Sequence, residues 1–173
     1  MIALIPIGNV DEEFLNALRP SLEKAIGQRV RIAQRIALPW NSWKPDRGQH
    51  LSSLILGILD PLPYSGDRVL GVTDVDIYAT GLNFIFGEAD YVGRKALISL
   101  QRLRQECYGL PSDEKLFQRR ALKEAVHELG HTYGLGHCSD PTCVMYFSNS
   151  IADTDLKEWK FCLFCQGNVN PIV

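Results

Sequence analysis

Three of the chain's four histidines fall in the run His127-Glu128-Leu129-Gly130-His131-Thr132-Tyr133-Gly134-Leu135-Gly136-His137. On a helix, His127 and His131 stand four residues apart and project from one face, where a nitrogen from each ring reaches a single metal ion. Glu128, beside the first histidine, is placed to hold water at that metal as a general base. Gly134 lets the chain leave the helix at positive φ and bring His137 round as a third ligand. Three imidazoles leave a fourth tetrahedral position open, which is the pattern of a catalytic zinc and not of a structural one. A bare H-E-x-x-H arises by chance. Adding Gly134 and His137 at fixed offsets makes chance a poor explanation.

Four of the five cysteines form a second group close by: Cys138, Cys143, Cys162 and Cys165. Cys162 and Cys165 make a C-x-x-C knuckle, and Cys138 with Cys143 a looser pair. Two close pairs of thiolates suit a closed tetrahedral zinc that contributes to folding, the alternative being two disulfides. The opening residues, Met1-Ile2-Ala3-Leu4-Ile5-Pro6, lack a basic segment, a long apolar stretch and a cleavage site. The expectation is therefore a reducing, cytoplasmic setting, which favours zinc over disulfides. Two zinc ions per chain follow, one catalytic and one structural. Because Cys138 directly follows His137, the two sites must be neighbours. Met145, shortly after the third histidine, reads as a Met-turn beneath the metal, although alone it would be core filler. Cys107 is left over and reads as a buried or unreactive thiol.

The stretch from His127 to Cys165, with the histidine motif abutting the cysteine cluster and Cys143-Val144-Met145 between, resembles the archaemetzincins. These are zinc proteins of the metzincin clan. Upstream, Arg47-Gly48-Gln49-His50, Val72-Thr73-Asp74-Val75-Asp76-Ile77-Tyr78 and Leu82-Asn83-Phe84-Ile85-Phe86-Gly87 are similar to segments of the same family. The resemblance implies a metzincin-like α/β fold, a catalytic and a structural zinc, and peptidase or aminopeptidase chemistry. It also implies a sheet-edge strand near Gly81 to Glu88, against which an extended peptide pairs.

The elements that must carry these residues are legible in the hydrophobic pattern. Ile2 to Ile7 reads as a buried strand. Asp11 caps a helix with Phe14, Leu15, Leu18, Leu22 and Ile26 on one face, with a kink or break expected at Pro20. Val30 to Leu38 reads as a second strand, and Pro39 to Asp46 as a loop. Leu51 to Leu59 reads as a helix, closed by the turn residues Pro61 to Asp67. Strands are expected over Arg68 to Tyr78, Leu82 to Gly87 and Ala96 to Arg102. A long helix capped by Ser112 then runs to about Gly134 and carries His127 and His131. This order gives an α/β (α+β) fold: a twisted mixed sheet of about five strands with packed helices and an active-site helix. Residues 1–173 form a single catalytic domain, divided into an upper part, 1–134, and a small zinc-stapled lower part, 135–173.

Composition limits the alternatives. With 46% hydrophobic and 22% charged residues, the 173-residue chain has the profile of a soluble globular protein with one core. Its net charge of −2 offers no basic field for nucleic acid or an anionic membrane. Lys157 and Lys160 near the knuckle are offset by Asp153, Asp155 and Glu158. The partner expected is a peptide or small protein substrate, met by a monomer. The competing reading is a metal-binding scaffold or regulator of the same fold with little proteolysis, its site blocked by the Trp40 to Asp46 loop.

Several other residues admit both a functional and a structural role. Tyr146 reads either as an oxyanion donor or as packing in the turn. Glu88 and Asp90 read as carboxylates for a substrate α-amine, or as solvated surface. Asp74 and Asp76 fit a structural polar network better than paired catalytic acids. Arg102 and Arg104 are expected to reach solvent, and His50 to cap a helix or lie at the surface.

Overall fold

In the computed structural model, which describes residues 1–59 and 68–169, a five-stranded sheet runs in the order β2-β1-β5-β8-β7. Within it, β1 (Ile2–Ile7) pairs in parallel with both β2 (Val30–Ile32) and the central β5 (Arg68–Thr73). β5 pairs in parallel with β8 (Lys95–Ser99), and β7 (Gly87–Asp90) closes one edge antiparallel to β8. Every residue of β1 and β8 is buried, as expected of strands covered on both faces. Alternation along them divides the core. Ile2, Leu4, Val72, Ala96 and Ile98 face the helices α1 (Glu12–Ile26) and α3 (Glu114–Thr132). Ile5, Ile7 and Leu97 face Ile55 and Leu56 of α2 (Ser52–Gly57), Leu59 beyond it and Ile77. Each such aliphatic side chain taken fully out of water contributes about 1.5–3 kcal/mol.

Several expectations need correction. The α1 helix runs on through Pro20 without a break. Pro20 is exposed, so the carbonyl left without its N–H faces the solvent side, while Phe14, Leu15, Leu18, Leu22 and Ile26 hold the other face in the core. The second strand ends at Ile32, not Leu38. Pro6 is the reason: its carbonyl accepts from Ile36 N at 2.9 Å, so its missing N–H falls on the β2 side and interrupts the ladder there. Between Pro39 and Asp46, where a loop was expected, β3 (Trp43–Lys44) joins β4 (Gln49–Leu51) and β6 (Ile77–Tyr78) in a second, three-stranded sheet. The expected strand from Arg68 to Tyr78 is therefore split between two sheets at Asp74. Leu82 to Phe86 is irregular, and the edge strand begins only at Gly87. Beyond Ser99 the chain turns into short 3-10 segments, so Arg102 lies outside any strand. The turn expected over 61–67 lies outside the described residues.

The cap of α3 is Asp113, one residue later than expected, accepting Leu116 N at 2.9 Å. Its other end unwinds at Gly134, where φ is +89° and Leu135 N returns to Gly130 O at 3.2 Å. Below it lie the short helices α4 (Ile151–Leu156) and α5 (Leu163–Asn168). Two adjacent turns of α3 grip this lower segment. Arg120 makes a bidentate pair with Asp155 at 2.7 and 2.6 Å, and Lys123 Nζ donates to the carbonyls of Thr154 and Asp155 at 3.0 Å each. Glu124 meets Lys157 Nζ at 2.9 Å. Lys157 is fully buried.

Candidate metal centre

His127 and His131 occupy the last two turns of α3 and are both buried. Their Nε2 atoms converge to 3.1 Å, and the ligand atoms of His127, His131 and His137 all lie within 4.8 Å of one another. Tetrahedral zinc with nitrogen ligands puts neighbouring nitrogens about 3.3 Å apart, so the spacing fits that ion. The far side of each ring is committed. His127 Nδ1 bonds Val144 O at 2.7 Å, and His131 Nδ1 bonds Leu135 O at 2.8 Å. A backbone carbonyl only accepts, so each Nδ1 carries the proton and each Nε2 keeps its lone pair for a metal. Burial lowers the pKa of all three imidazoles, with the Lys157 cation adding to this at His127, so they stay neutral and ready to ligate.

Glu128 is wholly enclosed. Burial first, then the neighbouring Glu124 carboxylate, push its pKa well above the usual value. Such a carboxylate takes up a proton readily, as a general base in this position must. Two glycines make room for the arrangement. A Cβ at Gly87 on the edge strand would lie 2.7 Å from Glu128 Oε1 and 2.7 Å from Leu97 O. One at Gly130 would collide with Met145 Sδ and approach Phe161 Cε1 at 3.1 Å. Met145, fully buried, thus packs directly beneath the turn between the two helical histidines.

The four cysteines of the second group also come together, with every sulfur within 4.8 Å of the others and no disulfide among them. Cys138 and Cys162 Sγ are 3.8 Å apart. Zinc–sulfur bonds of about 2.3 Å give a tetrahedral edge of roughly that length. Cys162 N donates to Cys143 Sγ at 3.3 Å, and the backbone N–H of Cys165 holds the Cys162 thiol below its ordinary pKa. Burial raises Cys165 and Cys143 instead, so without a cation the cluster cannot ionise as a whole. Cys107 lies apart and exposed, against the expectation of a buried thiol. Desolvation raises its pKa, in keeping with low reactivity.

A cleft of about 240 Å³ opens beside His127 and Glu128, bordered above by residues 82–87 and on the other side by Phe147, Ser148 and Asn149. Residues 82–86 of its upper rim have no helix or strand and are held by side chains. Arg47 donates to the carbonyls of Leu82 and Asn83 at 3.0 Å each, and Gln49 Nε2 to Asn83 O at 3.0 Å. Asp76 accepts from Gln49 at 3.2 Å and from Arg102 at 2.6 and 2.7 Å, and the Arg102 guanidinium covers the Phe84 ring. Arg104 pairs likewise with Asp74. The aspartates therefore form a structural network, as expected, while Arg102 and Arg104 are its cations and not free solvent-facing charges. His50 also differs from expectation: it sits in β4 with Ser42 Oγ 2.8 Å from its Nδ1.

Glu88 and Asp90 border a separate depression with Ser53, Leu56 and Gly57, and Asp90 is occupied by Val92 N, Gly93 N and Lys95. Neither is among the residues that line the cleft. Tyr146 does not line it either, and no residue from 40 to 46 does. Tyr91 was missed in the sequence. Its hydroxyl lies 3.3 Å from His131 Nδ1. No spacing rule links a tyrosine in a β7–β8 turn to a helix 40 residues on.

Comparison with known proteins agrees with this geometry. The profile of peptidase family M54 matches residues 27–170. The chain belongs to this family, the archaemetzincins. It is similar to the archaemetzincin of Methanocaldococcus jannaschii, 49% identical over 164 residues that cover 95% of this chain and 89% of the relative. The crystal structure of the Archaeoglobus fulgidus archaemetzincin, complexed with malonate, superposes with a TM-score of 0.85 at 38% identity, covering 97% of this chain and 99% of that one. A zinc-dependent peptidase from Methanocorpusculum labreanum gives 0.90 at 28% identity, covering 98% and 100%. As an archaemetzincin the chain is a zinc metallopeptidase, a hydrolase of the metzincin type. Among the described residues no helix is long and apolar enough to cross a membrane.

Proposed function

We propose that this archaemetzincin binds two zinc ions, one on His127, His131 and His137 and one on Cys138, Cys143, Cys162 and Cys165, and that Glu128 is its catalytic base. The observation that carries the reading is the pair of facing Nε2 atoms, each fixed by a carbonyl on the opposite side of its ring, with Glu128 enclosed beside them. Zinc, when bound, supplies a Lewis acid that polarises a scissile carbonyl and acidifies water at the open position. Glu128 takes the proton of the attacking water and, because burial makes the protonated form stable, delivers it to the leaving amine. The outer edge of β7, last strand of the sheet and antiparallel to β8, gives an extended peptide a main chain to pair with.

The cysteine site has no open position and serves folding. It fixes residues 135–173 as a lower part of one domain, since His137 crosses the boundary. The protein acts as a cytoplasmic monomer on peptides or small proteins, with aminopeptidase action as one form of that activity. No residue from 40 to 46 lines the cleft, which favours an enzyme over a scaffold blocked by that segment. The test is zinc per chain in wild type, in Glu128→Ala and in a His127/His131 double mutant, together with hydrolysis of a peptide library. Two zincs falling to one in the double mutant, and cleavage lost in Glu128→Ala with both zincs kept, are expected. One zinc that survives loss of the histidines, with no cleavage by wild type, overturns the catalytic assignment.

A further inference from the structure

Beside the metal ligands the cleft has apolar walls, supplied by Phe84, Phe86 and Phe147, and polar groups that are incompletely bonded. Ser148 Oγ is shielded from solvent and has no hydrogen-bond partner among the described residues. Glu124, one turn before Glu128 and 97% buried, accepts at Oε1 from Thr154 Oγ1 at 3.0 Å, with Lys157 Nζ 2.9 Å from the same oxygen. Its Oε2 takes no hydrogen bond from the described residues. Buried polar groups are nearly always paired, so the Ser148 hydroxyl calls for a ligand, and Glu124 on the same cleft offers that ligand a carboxylate oxygen.

We infer that Glu124 and Ser148 are specificity-determining residues, and that the cleft takes a neutral carboxamide side chain, glutamine or asparagine, from the residue flanking the scissile bond. A carboxamide carries both missing functions: its N–H donates to Glu124, and its carbonyl accepts from the Ser148 hydroxyl. Lys157 decides the charge. It already neutralises Glu124 from within, so a lysine or arginine entering the cleft meets a completed ion pair with a second cation behind it. A glutamate meets the free oxygen of Glu124 and is repelled. Methionine or leucine suits the phenylalanine walls but seals both polar groups away from water unpaired, and a site built for hydrogen bonding rejects such analogues strongly. This selectivity rests on the peptidase reading and adds to it the class of residue the enzyme chooses.

The test begins with cleavage of a proteome-derived peptide library by the zinc-loaded enzyme, with cut sites read by mass spectrometry. Synthetic peptides differing only in Gln, Glu, Lys or Met at the enriched position follow. Glutamine is expected to exceed methionine in kcat/KM by at least about 10-fold, the worth of one buried hydrogen bond left unmade. In Ser148→Ala the glutamine-to-methionine ratio should fall towards one. The same peptides are also titrated by fluorescence anisotropy into zinc-loaded Glu128→Gln, where the glutamine peptide should again bind tighter. Cleavage with no preference for a carboxamide overturns the inference and leaves the peptidase reading intact. A binding preference without any cleavage supports the cleft assignment and removes the peptidase reading. Neither cleavage nor preference overturns both.

Discussion

Replacing Gly87 with alanine tests whether the edge strand and the catalytic base share one small space. The added methyl would stand 2.5 Å from Glu128 Cγ and 2.7 Å from both Glu128 Oε1 and Leu97 O. Leu97 O belongs to the neighbouring strand and cannot retreat without opening the β7–β8 ladder. Glu128 is enclosed and sits beside His127, so its side chain has little room to turn away. Overpacking of this kind costs about 1–3 kcal/mol. For a domain of this size that lowers the melting temperature by roughly 2–4 °C per kcal/mol. The larger effect falls on rate. A displacement of Glu128 by about 1 Å lowers kcat/KM on the order of 100-fold. The imidazole nitrogens are anchored to Val144 O and Leu135 O, away from the methyl, so zinc content should stay that of wild type. Calorimetry, zinc analysis and peptide hydrolysis on one preparation separate these effects. Wild-type kcat/KM with an unchanged melting temperature would refute the packing argument, and loss of the histidine-site zinc would show that the strain travels elsewhere.

Other outcomes follow from the same contacts. Cys162→Ser should lose the cysteine-site zinc and lower the melting temperature, and retention of both would contradict a structural role. Lys157→Met leaves Glu124 buried without its cation and should destabilise the fold by about 3–5 kcal/mol, with the Lys157→Met/Glu124→Gln double variant recovering much of that in denaturant titration. Zinc binding at the histidines should respond to pH in a defined direction. Burial depresses all three imidazoles below 6.5, so protons compete for the folded site only at pH values below that point. Affinity measured against a chelator should therefore change little from imidazole titration between pH 8 and 6.5 and fall on further acidification. A fall already complete by pH 7 would count against neutral, pre-set ligands. Arg47→Met frees the Leu82 and Asn83 carbonyls and should raise KM more than it lowers kcat, a split that steady-state kinetics reads directly.

The metal ligands were legible because their spacing is set by helix geometry and by tetrahedral coordination, both local rules. Buried strands such as β1 and β8 were legible for a similar reason: continuous apolar runs have few other uses. The surroundings of the site were harder to read. Arg102 and Arg104 look like solvent-facing charges in sequence, yet their partners Asp76 and Asp74 lie 26 and 30 residues earlier and meet them only once the sheet has formed. Lys157 reads in sequence as a cation offset by the acids beside it, and only the assembled fold shows Glu124 as its buried partner. Leu82 to Phe86 carries a strand-like pattern but makes no ladder, because side chains of Arg47 and Gln49 take up the carbonyls that a strand partner would use. Tyr91 and the steric need for Gly87 and Gly130 are purely tertiary.

The grip of α3 on the lower segment has a consequence for the order in which the enzyme comes into being. Arg120 and Glu124 leave the ribosome some 30 residues ahead of Asp155, Thr154 and Lys157, and the cysteine knuckle follows later still. Domains assemble as units while the chain is being made. Until Cys165 has emerged, the active-site helix carries two charges with nowhere to be buried, and His137 has no fixed approach. The buried partners of α3 and the approach of His137 can therefore be complete only once the last cysteine is free to close the fold.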